Sequence, residues 1–141
     1  MKKIVLAILL MGSVLFATDK ASLYTRLGGY DAIALVLDDF HIRLKNDSQL
    51  GRFWKYRGDD GKKRELQLLI DFVCNETGGF VHYAGRDMGL THMGMQISES
   101  DWVIFIKHLK DTLHKFKIKE PEFSEVINLI QTYKSSMVEV K

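Results

Sequence analysis

The segment "RDMGLTHMGMQIS", residues 86–98, holds one histidine among methionines. Met88, His92 and Met95 stand at i, i+4 and i+7, so a helix here places all three on one face. An imidazole on an apolar face needs a partner, because a buried, unpaired ring nitrogen is costly. Two kinds of partner suit it. A neighbouring side chain or carbonyl would make His92 an ordinary core histidine. A metal would make it a ligand, a common role for neutral imidazole.

The rest of the chain must position this residue, and it reads as helices. Ser22 opens a short piece, "SLYTRL", that stops at Gly28-Gly29. Asp31 is expected to cap the next helix, with Ile33, Val36, Leu37, Phe40 and Leu44 at helical spacing. "SQLGRFWKY", 48–56, reads as a short turn or helix ending in aromatics, and "RGDDG", 57–61, as a loop. The helical period resumes from Lys62 through Leu66, Leu69, Ile70, Val73, Cys74 and Thr77, then ends at Gly78-Gly79. A connector, 80–86, leads to the short His92 helix. Ser98 and Asp101 form a reciprocal cap for the next one. Its apolar side carries Trp102, Phe105, Ile106, Leu109, Leu113 and Phe116. Pro121 suits the first turn of the last helix, whose core face is Phe123, Val126, Ile127, Ile130 and Met137. The domain is therefore expected to be all-α. The His92 helix adds few core residues for its length, which fits a ligand arm better than a structural beam.

The first residues, "MKKIVLAILLMGSVLFA", have a basic start, an apolar run and a small residue at Ala17. They read as an export signal over 1–17, leaving one domain over 18–141 in an exported, periplasmic protein. An uncleaved N-terminal anchor is the alternative. The run is shorter than the roughly 18–20 apolar residues of a comfortable span. Losing Lys2 and Lys3 takes the formal charge from +2 to zero, so nothing recommends a nucleic-acid partner. The single cysteine, Cys74, excludes an internal disulfide, and the absence of C-x-x-C-H excludes c-type haem attachment.

Four stretches carry a resemblance: "LYTRLGGYDAIALVLDDF" (23–40), "TGGFVHYAGRDM" (77–88), "HMGMQIS" (92–98) and "HLKDTL" (108–113). In this order they resemble the group I truncated haemoglobins, over almost the whole chain after the leader. The resemblance implies a two-over-two helical fold around one non-covalent haem b. It makes His92 the proximal iron ligand, with Met88, Phe53, Trp54, Leu69 and Trp102 against the cofactor. Arg86 is expected at a haem propionate, since a guanidinium pairs well with carboxylates, and His82 is a weaker candidate. His108 is given no ligand role, and His114 is expected to be exposed.

The sequence departs from the family at three places. A tyrosine that donates to bound oxygen usually follows the phenylalanine of the second helix. Here Phe40 is followed by His41. Where the family often has glutamine, an ungapped count from Gly78-Gly79 gives Leu69, with Glu65 and Leu68 beside it. An insertion would instead bring Gln67 over the haem. Glu65 could hydrogen-bond His41 or face water. Trp54 stands where phenylalanine is usual, able to shield the iron, donate from its N–H or form a surface lid.

The resemblance implies reversible binding of O₂ or NO as a small ligand. The alternatives are a haem enzyme, either a nitric oxide dioxygenase or peroxidase-like, and a six-coordinate redox or sensor protein. An enzyme needs a reductant, which the sequence does not identify. It specifies no oligomeric state either.

Overall fold

The computed structural model describes residues 20–140. The proposed leader and its cleavage point lie outside the described residues. Helix α1, Leu23–Arg26, is capped by Ser22, whose hydroxyl accepts from the Thr25 amide at 3.2 Å. Helix α2, Gly29–Asn46, follows a left-handed Gly28 with φ of 96°. Gly28, and not Asp31, takes the cap position, because the chain reverses there through backbone that a side chain rarely adopts. Asp31 sits inside the first turn, where its charge complements the helix dipole.

A 3-10 turn over Leu50–Trp54 leads to α3, Asp59–Glu76. The helix begins three residues before Lys62, so the expected loop at 57–61 is partly helical. Asp59 and Asp60 fall in its first turn, a favourable place for acids. Helix α4, Met88–His92, is capped by the Asp87 carboxylate, which accepts from the amides of Gly89 and Leu90. Helix α5, Glu99–Lys115, starts at the expected box of Ser98 and Asp101. The last helix is divided into α6, Glu122–Gln131, and α7, Lys134–Met137. Pro121 caps α6 and does not enter its first turn. Among the described residues the only β-type pairing is an isolated bridge between Ser98 and Val140. None of their helices is long and apolar enough to cross a membrane.

Helix α2 packs on α3 and α5, and α5 packs on α6. The shared core comprises Ile33, Leu37, Phe40 and Leu44 of α2, Ile70, Val73 and Cys74 of α3, Leu109 and Leu113 of α5, and Val126 of α6. Each large side chain buried here contributes about 1.5–3 kcal/mol relative to exposure. Cys74 is fully buried, which pushes its thiol up to about 11 and leaves it a packing residue.

Asp101 joins the cap of α5 to the 3-10 turn. It is 1% exposed. Its Oδ1 accepts from Gln49 at 2.7 Å and Arg52 at 2.8 Å. Its Oδ2 accepts from Arg52 at 2.6 Å and from the Ser98 amide at 2.9 Å. The Arg52 guanidinium, with these other donors, outweighs burial and holds the carboxyl well below the usual carboxylate range. A carboxyl whose folded pKa is lowered stabilises the fold above its ordinary 3.8, and that contribution fades as pH falls below it. Asp101→Asn should therefore cost about 1–3 kcal/mol at pH 7, on the scale of a charged hydrogen bond. Urea unfolding should show the gap from wild type shrinking once pH falls below 4. An equal gap at pH 7 and pH 3 would contradict this role.

Candidate functional site

A cavity of about 630 Å³ opens between α2, the 3-10 turn, α3 and α5, and α4 and the connector before it reach it from the side. That volume is within the range of ligand pockets, and most of the wall is apolar. Phe40 and Leu44 come from α2, Leu68, Leu69 and Phe72 from α3, and Trp102 and Phe105 from α5. The Trp102 ring is stacked on Phe105 with centroids 5.3 Å apart, and its N–H donates to Gln131 at 3.0 Å.

His92 lines this cavity from the last residue of α4. Its Nδ1–H donates to the Met88 carbonyl at 2.8 Å, one turn back in the same helix. A carbonyl only accepts, so this bond places the proton on Nδ1 and leaves the Nε2 lone pair available. Met88 also lines the cavity. So does Met95, but not by helical register: α4 ends at His92, and a left-handed Gly94 turns the chain before Met95.

His41 enters from α2 and is 2% exposed. Among the described residues neither of its ring nitrogens has a hydrogen-bond partner. Nε2 lies 3.4 Å from Glu65 Oε1, close enough for charge to matter but without the geometry of a hydrogen bond. The Trp54 ring meets His41 edge-on at 5.9 Å. A buried polar ring without a partner is rare in a folded protein, and this one lines the cavity.

Glu65 does not simply face water. Trp54 Nε1–H donates to its Oε1 at 2.6 Å, and Arg57 pairs with its Oε2 at 2.8 Å. Burial pushes the Glu65 carboxyl up, but His41, Trp54 and Arg57 together hold it below its ordinary 4.5. The same bond commits the Trp54 N–H, so the indole forms a wall and is not a free donor. Phe53 packs edge-on against Trp54, with the Arg52 guanidinium 4.1 Å above its ring.

The register of α3 is the ungapped one. Glu65, Leu68 and Leu69 line the cavity. Gln67 points elsewhere, donating to the Tyr30 hydroxyl at 2.7 Å and to Asp71 at 2.8 Å. Arg86 is exposed and reaches the cavity wall. His82 is exposed and takes no part in the lining. His108 pairs with Asp47 at 2.8 Å, and the exposed His114 stacks on Phe123.

Sequence reasoning missed Arg64, Tyr83, Tyr133 and the inward use of Met137. Arg64 lies within the expected helix, but a charged residue in its first turns reads as a solvated face. Met137 was assigned to the core of one long helix, and the break before α7 carries it to the cavity instead.

The fold and this constellation define a class. The Bacterial-like globin family matches residues 22–139, and the chain belongs to it. Similar proteins place it in the group 1 truncated branch. The group 1 truncated hemoglobin GlbN of Nostoc commune is 31% identical over 93 residues, 66% of this chain and 76% of that one. The one from Mycolicibacterium paratuberculosis is 28% identical over 112 residues, 79% and 80% of the two chains. The solved truncated hemoglobin of Tetrahymena pyriformis, in its Fe(III) form, superposes with a TM-score of 0.76 at 23% identity, covering 84% of this chain and 98% of that one. The arrangement is thus the all-α two-over-two globin fold.

Membership implies a haem cofactor with its iron. The residues present fit that group: a large apolar cavity, an imidazole with one nitrogen left for a metal, a second buried imidazole without a partner, and arginines at the wall.

Trp54→Phe removes one donor from Glu65. The Glu65 midpoint should then rise toward 4.5, as followed by the ¹³C shift of its carboxyl carbon. An unmoved midpoint would show that the indole N–H has no hold on this carboxylate.

Proposed function

We propose that this protein is a haem b globin that reversibly binds a diatomic gas, O₂ or NO, with His92 as the iron's protein ligand. The observation that carries the reading is the bond from His92 Nδ1–H to the Met88 carbonyl, which prepares the other nitrogen for a metal. When bound, the haem supplies the iron at which the gas is held. The remaining tasks fall to this chain's side chains. Leu68, Leu69, Phe53 and Trp102 exclude water from the cavity. Arg86 and Arg64, which line the cavity, are the proposed partners of the propionates. His41 is the proposed hydrogen-bond donor to the gas from within the apolar pocket, and its Nε2 lies 3.4 Å from Glu65 Oε1.

That same carboxylate supports a second reading, in which His41 and Glu65 serve as an acid–base pair for peroxidase-like or nitric oxide dioxygenase chemistry. Turnover with an added reductant separates an enzyme from a carrier. A six-coordinate ferrous spectrum that becomes five-coordinate in His41→Leu would instead identify His41 as a second iron ligand.

His92→Ala should lose haem or hold it weakly, whereas His108→Ala should keep the wild-type spectrum, since His108 is occupied by Asp47. An unchanged ferrous spectrum in His92→Ala would overturn the assignment. His41→Leu should speed O₂ release about fivefold to hundredfold, matching a hydrogen bond of roughly 1–3 kcal/mol. Identical release rates from pH 5 to 8 would make His41 a bystander.

The export reading rests on Met1–Ala17 alone. Intact-mass analysis of the exported product should find a start near Thr18. A cytoplasmic product retaining the leader would count against it.

A further inference from the structure

The loop that follows His92 is held by the far end of the chain. Past α4 the backbone leaves helical geometry at Met93, then passes through left-handed Gly94, φ 79°, and Gln96, φ 56°. For Gln96, which has a Cβ, that conformation is strained and needs outside support. The support is a single carboxylate. Glu139 Oε1 accepts from the Gly94 amide at 2.7 Å, and its Oε2 accepts from the Gln96 amide at 2.6 Å. Amides converging in this way form a concave anion site. Here the chain fills that site with its own side chain.

The backbone of the same tail adds to the hold. The amides of Glu139 and Val140 both donate to the Ile97 carbonyl, at 2.8 and 3.1 Å. The Glu99 amide donates back to the Val140 carbonyl at 3.1 Å. Helix α7 lies against α4 closely enough that a Cβ on Gly89 would come within 3.6 Å of the Ser136 carbonyl oxygen. Helix α4 itself buries no residue completely. Its placement therefore depends on its cap and on this tail more than on the core.

We propose that Glu139 is a positioning residue for His92, and that residues 138–140 form a strap fixing the backbone from which the imidazole projects. This rests on His92 being the iron ligand. A ligand whose backbone is already ordered loses less freedom on binding, so it holds its metal longer and in one orientation. Cutting the strap should leave the imidazole present but loosely aimed.

The test compares Glu139→Ala, Glu139→Gln and Lys134→Ala in the haem-loaded full chain. Lys134 pairs with Glu99 at 2.6 Å, joining α7 to α5 without touching the loop after His92. Three quantities are read: hydrogen exchange at the Gly94 and Gln96 amides, the rate of haem loss, and the iron–histidine stretching band of the ferrous protein. Glu139→Ala should speed exchange and haem loss about tenfold and shift or broaden the band, as two charge-assisted hydrogen bonds disappear. Glu139→Gln should do the same more weakly, and it carries the test if the alanine variant does not fold. Lys134→Ala should match wild type. Faster exchange with an unchanged band and unchanged haem loss would overturn the proposal, leaving the strap only structural. Unchanged exchange would overturn it as well. Failure of the underlying reading has a separate signature, an iron–histidine band that survives His92→Ala.

Discussion

A 630 Å³ space inside so small a domain is the constraint on which the other features depend. Side chains facing a void lose contact partners, and the cost of a cavity grows with its volume. The helices cannot meet across this space, so they must be fixed around it. Hydrophobic packing of α2 with α3, α5 and α6 fixes one side. Polar joints fix the margins: Asp101 to Arg52, Glu65 to Trp54 and Arg57, His108 to Asp47, and Glu139 to the loop after α4. A haem seated there would supply contacts along these walls, which would make the cofactor a part of the core as well as the working group.

The polar side of the cavity rests on few groups. His41 is buried at its wall, and Leu69 of α3 adds no polar group. The chain compensates with one carboxylate, Glu65, that faces His41 while engaging Trp54 and Arg57. The imidazole side of the pocket is therefore walled by an indole and a carboxylate that are themselves tied together.

Local signals were legible in the sequence, and distant ones were not. Ser98 and Asp101 announced the start of α5 because a capping box is complete within four residues. The apolar spacing from Ile33 to Leu44 identified the buried face of α2, and four of its five positions are fully buried. Asp31 was misread because a side-chain cap is the commoner device, while this helix uses the backbone freedom of Gly28. "RGDDG" has turn chemistry, yet its two acids also suit a helix start, and packing of α3 decided for the helix. The register of α3 stayed open between Leu69 and Gln67 in the sequence, and the uninterrupted helix brings Glu65, Leu68 and Leu69 to the cavity. Glu139 gave no signal, since nothing in a C-terminal glutamate foretells amides 43 and 45 residues earlier.

Helix α4 has one further consequence. It completely buries none of its residues, whereas α2, α3 and α5 supply most of the core. A loosened α4 would therefore leave the main helices packed, and it would reach the folded state through the cofactor, lowering stability by the binding free energy that is lost. A change in a main helix acts on both at once, because Phe40, Leu69 and Trp102 face the cavity from the helices that build the core.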